Sequence, residues 1–356
     1  MVRRSWISFL LACVLTAPGN PQALPFPLSV PQGYRIDLVS NQVRGARFIA
    51  SAPNGDVVVA LLSQGAVVAL SPGAPVNTPP RIVVSGLYGP NAVVFRGADL
   101  YIASVGTVVR LKDYPNGRLE NLVSDLPAGS GHLNRALALD PQGRIFVSSG
   151  SSCNVCQEQD ARKATILRYE ADGSRGAIFA SGLRNASGLT FDDRGRLWAV
   201  VNQRHDLVPD HTDLPPEELD QIQEHGNYGW PYAYPIGDKR LPNPEFPNAS
   251  VAGFLPTTLN LQAHSAPLQI AFDTDKHSFF VAYHGSWNRS PPTGYKVVSI
   301  KLVEGKAQPP QDFVTGWLTA QGRVLGRPVG VAITAAGDLL ISDDTGYVFR
   351  VTKTKI

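Results

Sequence analysis

The chain has 356 residues, with Gly 33, Pro 29, 17% charged residues and a formal net charge of +3. So small a net charge, with no Lys/Arg-rich run, excludes a nucleic-acid footprint. Abundant Gly and Pro between short Val-rich runs exclude an architecture of long helices and favour an all-β protein with many turns.

The first residues, "MVRRSWISFLLACVLTA", read as a secretory signal peptide within residues 1–23, with Arg3 and Arg4 as its basic start and Trp6 to Ala17 as its apolar core. That core is too short for a stable membrane anchor. "LLAC" ending at Cys13 also fits a lipoprotein processing box with Cys13 acylated. The expected location is periplasmic or secreted, with lipid anchoring through Cys13 as a variant of that reading. Residues 18–30 are Pro-rich and read as a loose lead-in. No later stretch approaches about 18 unbroken apolar residues, so no transmembrane segment is expected in the mature chain.

Further along, one pattern recurs: an apolar strand, a polar Gly/Asp turn and a second apolar strand. It occurs at 46–60, 90–104, 135–149, 186–200, 267–282 and 328–342. Each copy has the form of a β-hairpin. Further short strands follow, as in "TVVRLKDY", "TILRYEADG" and "YKVVSIKL". Six such copies predict a six-bladed β-propeller occupying 24–356 as a single domain. A pair of β-sandwiches is the alternative. The longest gap between copies, about 202–266, reads as a functional insertion.

Candidate chemistry gathers at blade starts. "CNVC" offers Cys153 and Cys156. The mature chain has no further cysteine for a zinc site, position 157 is Gln where covalent haem attachment needs His, and the context is β, unlike a thioredoxin motif. A short local disulfide, acting as a staple in an exported protein, is the reading that remains. His132 stands just before a predicted inner strand, where it can serve as base or as filler. Arg184 and Asn185 in "GLRNASGL" hold the equivalent place one blade later, and His264, Lys296, Arg323 and Arg327 fall near other blade junctions. A ring of such residues around one channel mouth suits an anionic, planar polycarboxylate. Taken singly, each cation reads as a solvated surface charge. No Ser-His-Asp signature, Walker loop or GxGxxG within a βαβ unit is present.

"GLRNASGLTFDDRGRLWAVVNQ" followed by "DLPPEELDQIQEHGNYGWPYAYP" resembles the soluble glucose/sorbosone dehydrogenase family, which uses pyrroloquinoline quinone. "SSGSSCNVCQEQ", "HGSWNRSPPTGYKVV" and "GRPVGVAITAAGDLLISDD" resemble its sorbosone dehydrogenase-like branch. The resemblance runs from about residue 30 to 352 and implies a six-bladed propeller carrying the quinone and calcium at the wide channel mouth. It implies His132 as general base, Arg184 as the stabiliser of charge on the reduced quinone, and Asn185 beside it. Lys296, Arg323 and Arg327 match cationic residues that hold the cofactor, and the backbone carbonyls of Arg204 and His205 match the calcium loop. The sequence departs from the family at Gln203, where an acidic residue is usual, and at Leu87, where a polar glutamine stands, with Asn91 nearby.

The function expected is an exported quinoprotein dehydrogenase that oxidises an aldose or related aldehyde and passes electrons to a separate acceptor. The alternatives are a propeller lactonase with an inward carboxylate metal cage, and a secreted binding propeller without catalysis.

Overall fold

A computed structural model describes residues 23–207 and 213–354. The leader expectation, Cys13 included, falls outside the described residues. Six antiparallel sheets follow one another around a central channel. The first comprises Ala46–Ser51, Val57–Leu61, Ala66–Leu70 and Arg81–Val84; the second, Ala92–Arg96, Asp99–Ala103, Val108–Leu111 and Leu119–Val123. The third comprises Leu137–Leu139, Ile145–Ser149, Thr165–Tyr169 and Ala177–Ser181; the fourth, Ala186–Phe191, Leu197–Val201, Glu217–Gln221 and Leu259–Leu261. The fifth is built on Pro267–Asp273, Ser278–Tyr283, Lys296–Val303 and Gln311–Val314. Pro328–Ile333, Leu339–Asp343 and Val348–Lys353 make the sixth, whose outer strand is the early segment Tyr34–Ser40. The six hairpins legible in the sequence are the innermost and second strands of the blades, and the fold is a six-bladed β-propeller.

Second strands such as "VVVAL" (57–61) and "LWAVV" (197–201) are buried along their whole length because neighbouring blades cover both faces. Trp198 of blade four meets Phe279 of blade five at 5.0 Å between ring centroids, and both are fully buried. Each such side chain contributes about 2–3 kcal/mol on transfer from water. The turns repeat one device as well. Asp140 and Asp192 accept backbone N–H groups of their own turns and hold Arg144 and Arg196 at 2.6 and 2.7 Å.

Two expectations are corrected. Residues 24–30 are not a loose lead-in: Leu24, Phe26, Leu28 and Val30 pack against the core of blades five and six, and Ser29 bridges to Thr315. Their apolar side chains alternate with prolines and polar residues, so one face of an extended strap is greasy. The segment 202–266 is not wholly an insertion, since it supplies the third and fourth strands of blade four. The excursion lies between them and carries the hairpin Ala233–Ile236 with Lys239–Pro242.

The channel is lined by all six innermost strands, and its half toward the ends of those strands holds a cavity of about 420 Å³. Gln269 reaches across it. Its Oε1 accepts from Ile49 N and Val331 N at 2.9 and 3.1 Å, and its Nε2 donates to Ile49 O at 2.9 Å.

Candidate active site

The innermost strands all begin on one face of the ring, and the residues at those beginnings form the channel mouth. His132 is delivered there by Gly131, which has φ +86° and lies so close to Ser151 that a Cβ would fall 2.2 Å from its carbonyl oxygen. His132 N donates to that carbonyl at 2.8 Å. Its ring Nδ1 lies 3.1 Å from the same oxygen and 3.0 Å from Ser151 Oγ. The Ser151 hydroxyl donates to Cys153 O at 2.7 Å, so both serine oxygens face the ring as acceptors. Nδ1 therefore carries the proton, and Nε2 keeps its lone pair. Burial, reinforced by the charge of Arg184, lowers the His132 pKa to about 4. The imidazole is neutral at physiological pH and has the form a general base requires.

Gly150 separates His132 from Asn185: a Cβ there would fall 2.5 Å from His132 Cβ and 2.9 Å from Asn185 Oδ1. Asn185 Nδ2 donates to Asn202 Oδ1 at 3.2 Å. The adjacent Arg184 is buried and ringed by neutral oxygens. Its Nε and Nη2 donate to Asn154 O and Oδ1 at 3.1 and 3.0 Å, and its Nη1 donates to Gln203 O at 2.8 Å and Asn202 O at 3.3 Å. Burial lowers its pKa to about 10, with Glu217 opposing, so it remains a cation.

Beneath this pair lies a buried polar layer drawn from the segment that the sequence marks as an insertion. Glu217 Oε2 accepts from Gln203 N at 2.6 Å, and burial raises its pKa to about 7. Glu218 pairs with Arg240 at 2.7 Å and accepts from Gln203 Nε2 and Thr257 Oγ1. Asp220 accepts from Thr258 N at 2.9 Å, and burial beside Glu218 holds its carboxyl well above the usual range. These contacts explain how the charged "EELDQ" forms an interior strand.

On the opposite side of the mouth, Arg47 Nε donates to Asn91 Oδ1 at 3.0 Å, and Asn91 Nδ2 donates to Arg135 O at 2.8 Å. Burial lowers the Arg47 pKa, with Asp344 opposing. Asp344 Oδ2 lies 2.8 Å from His284 Nε2. Arg327 donates Nη1 to Gly285 O at 3.2 Å and stacks its guanidinium 4.9 Å from the Tyr295 ring centre. The sequence singles out Arg327 but not Arg47, His284 and Asp344, which the structure places near it. Arg47 stands at the start of the first inner strand, as Arg327 does in the last, and that equivalence was the available signal.

Other expected site residues go elsewhere. Lys296 opens the third strand of blade five, and its Nζ lies 2.6 Å from Asp312 on the fourth strand, one layer away from the channel. Arg323 is exposed in the hairpin between Leu318 and Val324, and its guanidinium has no partner among the described residues. His264 is buried at φ +60°, with Nε2 3.1 Å from Leu214 O. Leu87 lines a cleft of about 690 Å³ that ends at Leu133 and Asn134, beside His132. Cys153 and Cys156 form the disulfide.

Of the two carbonyls matched to a calcium loop, that of His205 is otherwise engaged, and so are those of Asn202 and Gln203 just before it. His205 O accepts from Asn154 Nδ2 at 3.0 Å and Arg204 Nε at 3.4 Å. Arg184 covers the carbonyls of Asn202 and Gln203, and Arg204 is paired with Glu245 at 2.6 Å and Asn243 at 3.0 Å. Guanidinium groups face these oxygens where a hard cation would need six to eight open ones, so the loop does not fit calcium. The donor set at the mouth suits a planar anion. The terminal nitrogens of Arg47, and Nε and Nη2 of Arg327, have no hydrogen-bond partner among the described residues, and such forks match carboxylates.

The fold and mouth define a six-bladed propeller with an anion-receptive, histidine-bearing end. A family model described as TrAA12-like matches residues 28–354, and the chain belongs to this family. A Borreliella burgdorferi protein is 26% identical over 98% of this chain and 96% of its own length. A pyrroloquinoline quinone-dependent pyranose dehydrogenase of Coprinopsis cinerea is 24% identical over 95% of this chain, which spans only 56% of that relative. The holo quinone domain of the Coprinopsis pyranose dehydrogenase superposes with a TM-score of 0.79 at 22% identity, covering 94% of this chain and 99% of that domain.

Proposed function

We propose that the chain is a pyrroloquinoline quinone-dependent dehydrogenase that oxidises the anomeric carbon of a pyranose or related aldose. The observation that carries this reading is the neutral His132, with Nε2 unprotonated beside the cationic Arg184, in a mouth whose free guanidinium forks suit a polycarboxylate. The activities named for the Coprinopsis and Hypocrea jecorina relatives support it.

When bound, the quinone would supply the two-electron acceptor for the hydride that leaves the sugar carbon. Arg47 and Arg327 would hold its carboxylates, with Asn185 at its edge. His132 Nε2 takes the proton of the anomeric hydroxyl, and the Ser151 oxygens stabilise the imidazolium that forms. Arg184 would supply fixed positive charge to stabilise the quinone oxygen that becomes negative. No step here requires calcium. The electrons then pass to a separate acceptor. The Cys153–Cys156 disulfide supports an oxidising, extracytoplasmic location.

The lactonase alternative would need an inward metal cage. Among the described residues, the only close group of three His, Cys, Asp or Glu ligands is Cys153, Cys156 and Glu158, and its two sulfurs are bonded to each other.

The test is to titrate the mature protein with the quinone and follow reduction of an artificial dye with a sugar panel. Binding at about micromolar concentration with sugar-dependent reduction is expected; absence of binding overturns the reading.

A further inference from the structure

The disulfide loop is the one conspicuous motif to which this reaction gives no part. Asn154 and Val155 stand between its cysteines, and Asn154 is a hub. Its Oδ1 accepts from Arg184 Nη2 at 3.0 Å and from the His205 backbone N–H at 3.2 Å. Its Nδ2 donates to His205 O at 3.0 Å. Its main-chain oxygen accepts from Arg184 Nε at 3.1 Å and from Trp230 Nε1 at 3.2 Å. One residue thus grips a whole edge of the guanidinium and ties blade three to the loop after the second strand of blade four. The neighbouring carbonyl, that of Cys153, receives the hydroxyl proton of Ser151, whose two oxygens fix the tautomer of His132.

Two features suit this loop to set geometry. The covalent link closes a four-residue ring, so the Cys153 carbonyl and the Asn154 side chain have few directions available. The amide is also neutral. It orients Arg184 without cancelling the charge, as an aspartate in the same place would.

We propose that the disulfide-closed loop Cys153–Cys156 is a positioning element of the reaction, in which Asn154 sets the guanidinium of Arg184 and the Cys153 carbonyl, through Ser151, sets the proton of His132. The assignment rests on the dehydrogenase reading above.

The experiment compares quinone-loaded wild type with Asn154→Ala, Asn154→Asp and the Cys153→Ser/Cys156→Ser double variant, measuring Tm, quinone affinity, kcat, KM and the pH profile. Asn154→Ala is expected to lower kcat about 10–100-fold with a smaller change in KM, as misplacement of a reacting group does. The double-cysteine variant should reproduce part of that loss. The charged and titratable groups facing His132 are Arg184, His205 and Lys163, with Ser151 as its hydrogen-bond partner. Asn154→Asp screens Arg184 and should move the acid limb of the profile to higher pH. If Asn154→Ala does not fold, the near-isosteric Asn154→Asp decides the matter. Wild-type kcat and an unmoved acid limb in the variants, with only Tm lowered, would reduce the loop to a staple and overturn the assignment alone. A wild-type protein that binds no quinone overturns the dehydrogenase reading and this assignment together.

Discussion

Gln269 of blade five holds Ile49 of blade one across the channel, giving its amide nitrogen to the Ile49 carbonyl and taking the Ile49 N–H on its oxygen. The same oxygen accepts from Val331 of blade six. The crossbar separates the polar mouth from the opposite end of the channel. Gln269→Ala leaves three backbone groups to find other partners, at about 1 kcal/mol or more each. A loss of roughly 2–3 kcal/mol in urea unfolding is expected, and an unchanged midpoint would show that water replaces the crossbar fully.

Titration of His132 gives a second check. In the cofactor-free protein its imidazole proton resonances should move near pH 4, far below the ordinary value of about 6.5. Between those two pH values the unfolded chain binds a proton that the folded chain does not. Folded stability from this group is therefore complete above about pH 6.5 and declines as pH falls toward 4. His132→Gln removes the dependence, so its melting temperature should fall less steeply over that window. In the quinone-loaded enzyme the same variant should lower kcat by about 10²–10⁴.

Cation placement separates residues that the sequence grouped together. Arg47→Ala and Arg327→Ala each remove a charged fork from the mouth and should weaken quinone binding about 10–100-fold. Lys296→Ala breaks only a pair with Asp312 in the outer part of blade five and should leave affinity unchanged. Equal losses in all three variants would mean that Lys296 leaves Asp312 for the cofactor.

The engaged carbonyls around His205 lead to a prediction about metal. Chelator treatment followed by added calcium should leave quinone affinity unchanged, because Asn154, Arg184 and Arg204 hold those oxygens. A strong dependence on calcium would show that the loop opens these bonds on binding.

Much of the fold was legible because inner hairpins alternate apolar residues around Asp/Gly turns, a local signal. The third strand of blade four was not, because "EELDQ" has no apolar period. Its burial depends on Arg240, Gln203 and Thr257, which are distant in sequence or in the excursion. His132, Arg184 and Asn185 were singled out by position at a blade start combined with a specific motif, and the structure brings them together around Gly150. Arg47 was passed over because no motif surrounds it. Lys296 was drawn in by a loose match, although its strand position, third from the channel, places it elsewhere. "CNVC" announced its disulfide through its cysteines, while the residue that bonds Arg184 is the unremarked asparagine between them.

The sixth blade joins Tyr34–Ser40 to Val348–Lys353, pairing Tyr34 with Lys353 and Leu38 with Phe349. Five blades are continuous stretches of chain, so the circle has a single non-covalent seam, zipped by hydrogen bonds and by the aromatic packing of Phe26 on Tyr347. A chain still being synthesised cannot close the ring until Val348–Lys353 emerges to pair with Tyr34–Ser40, which keeps the mouth unassembled until then. Arg327, Asp343 and Asp344 belong to the seam blade, so fraying there reaches the cation cluster directly. Circular permutation that moves the break to the Gly143 turn would make the seam a covalent hairpin and transfer the weak point to blade three, beside His132.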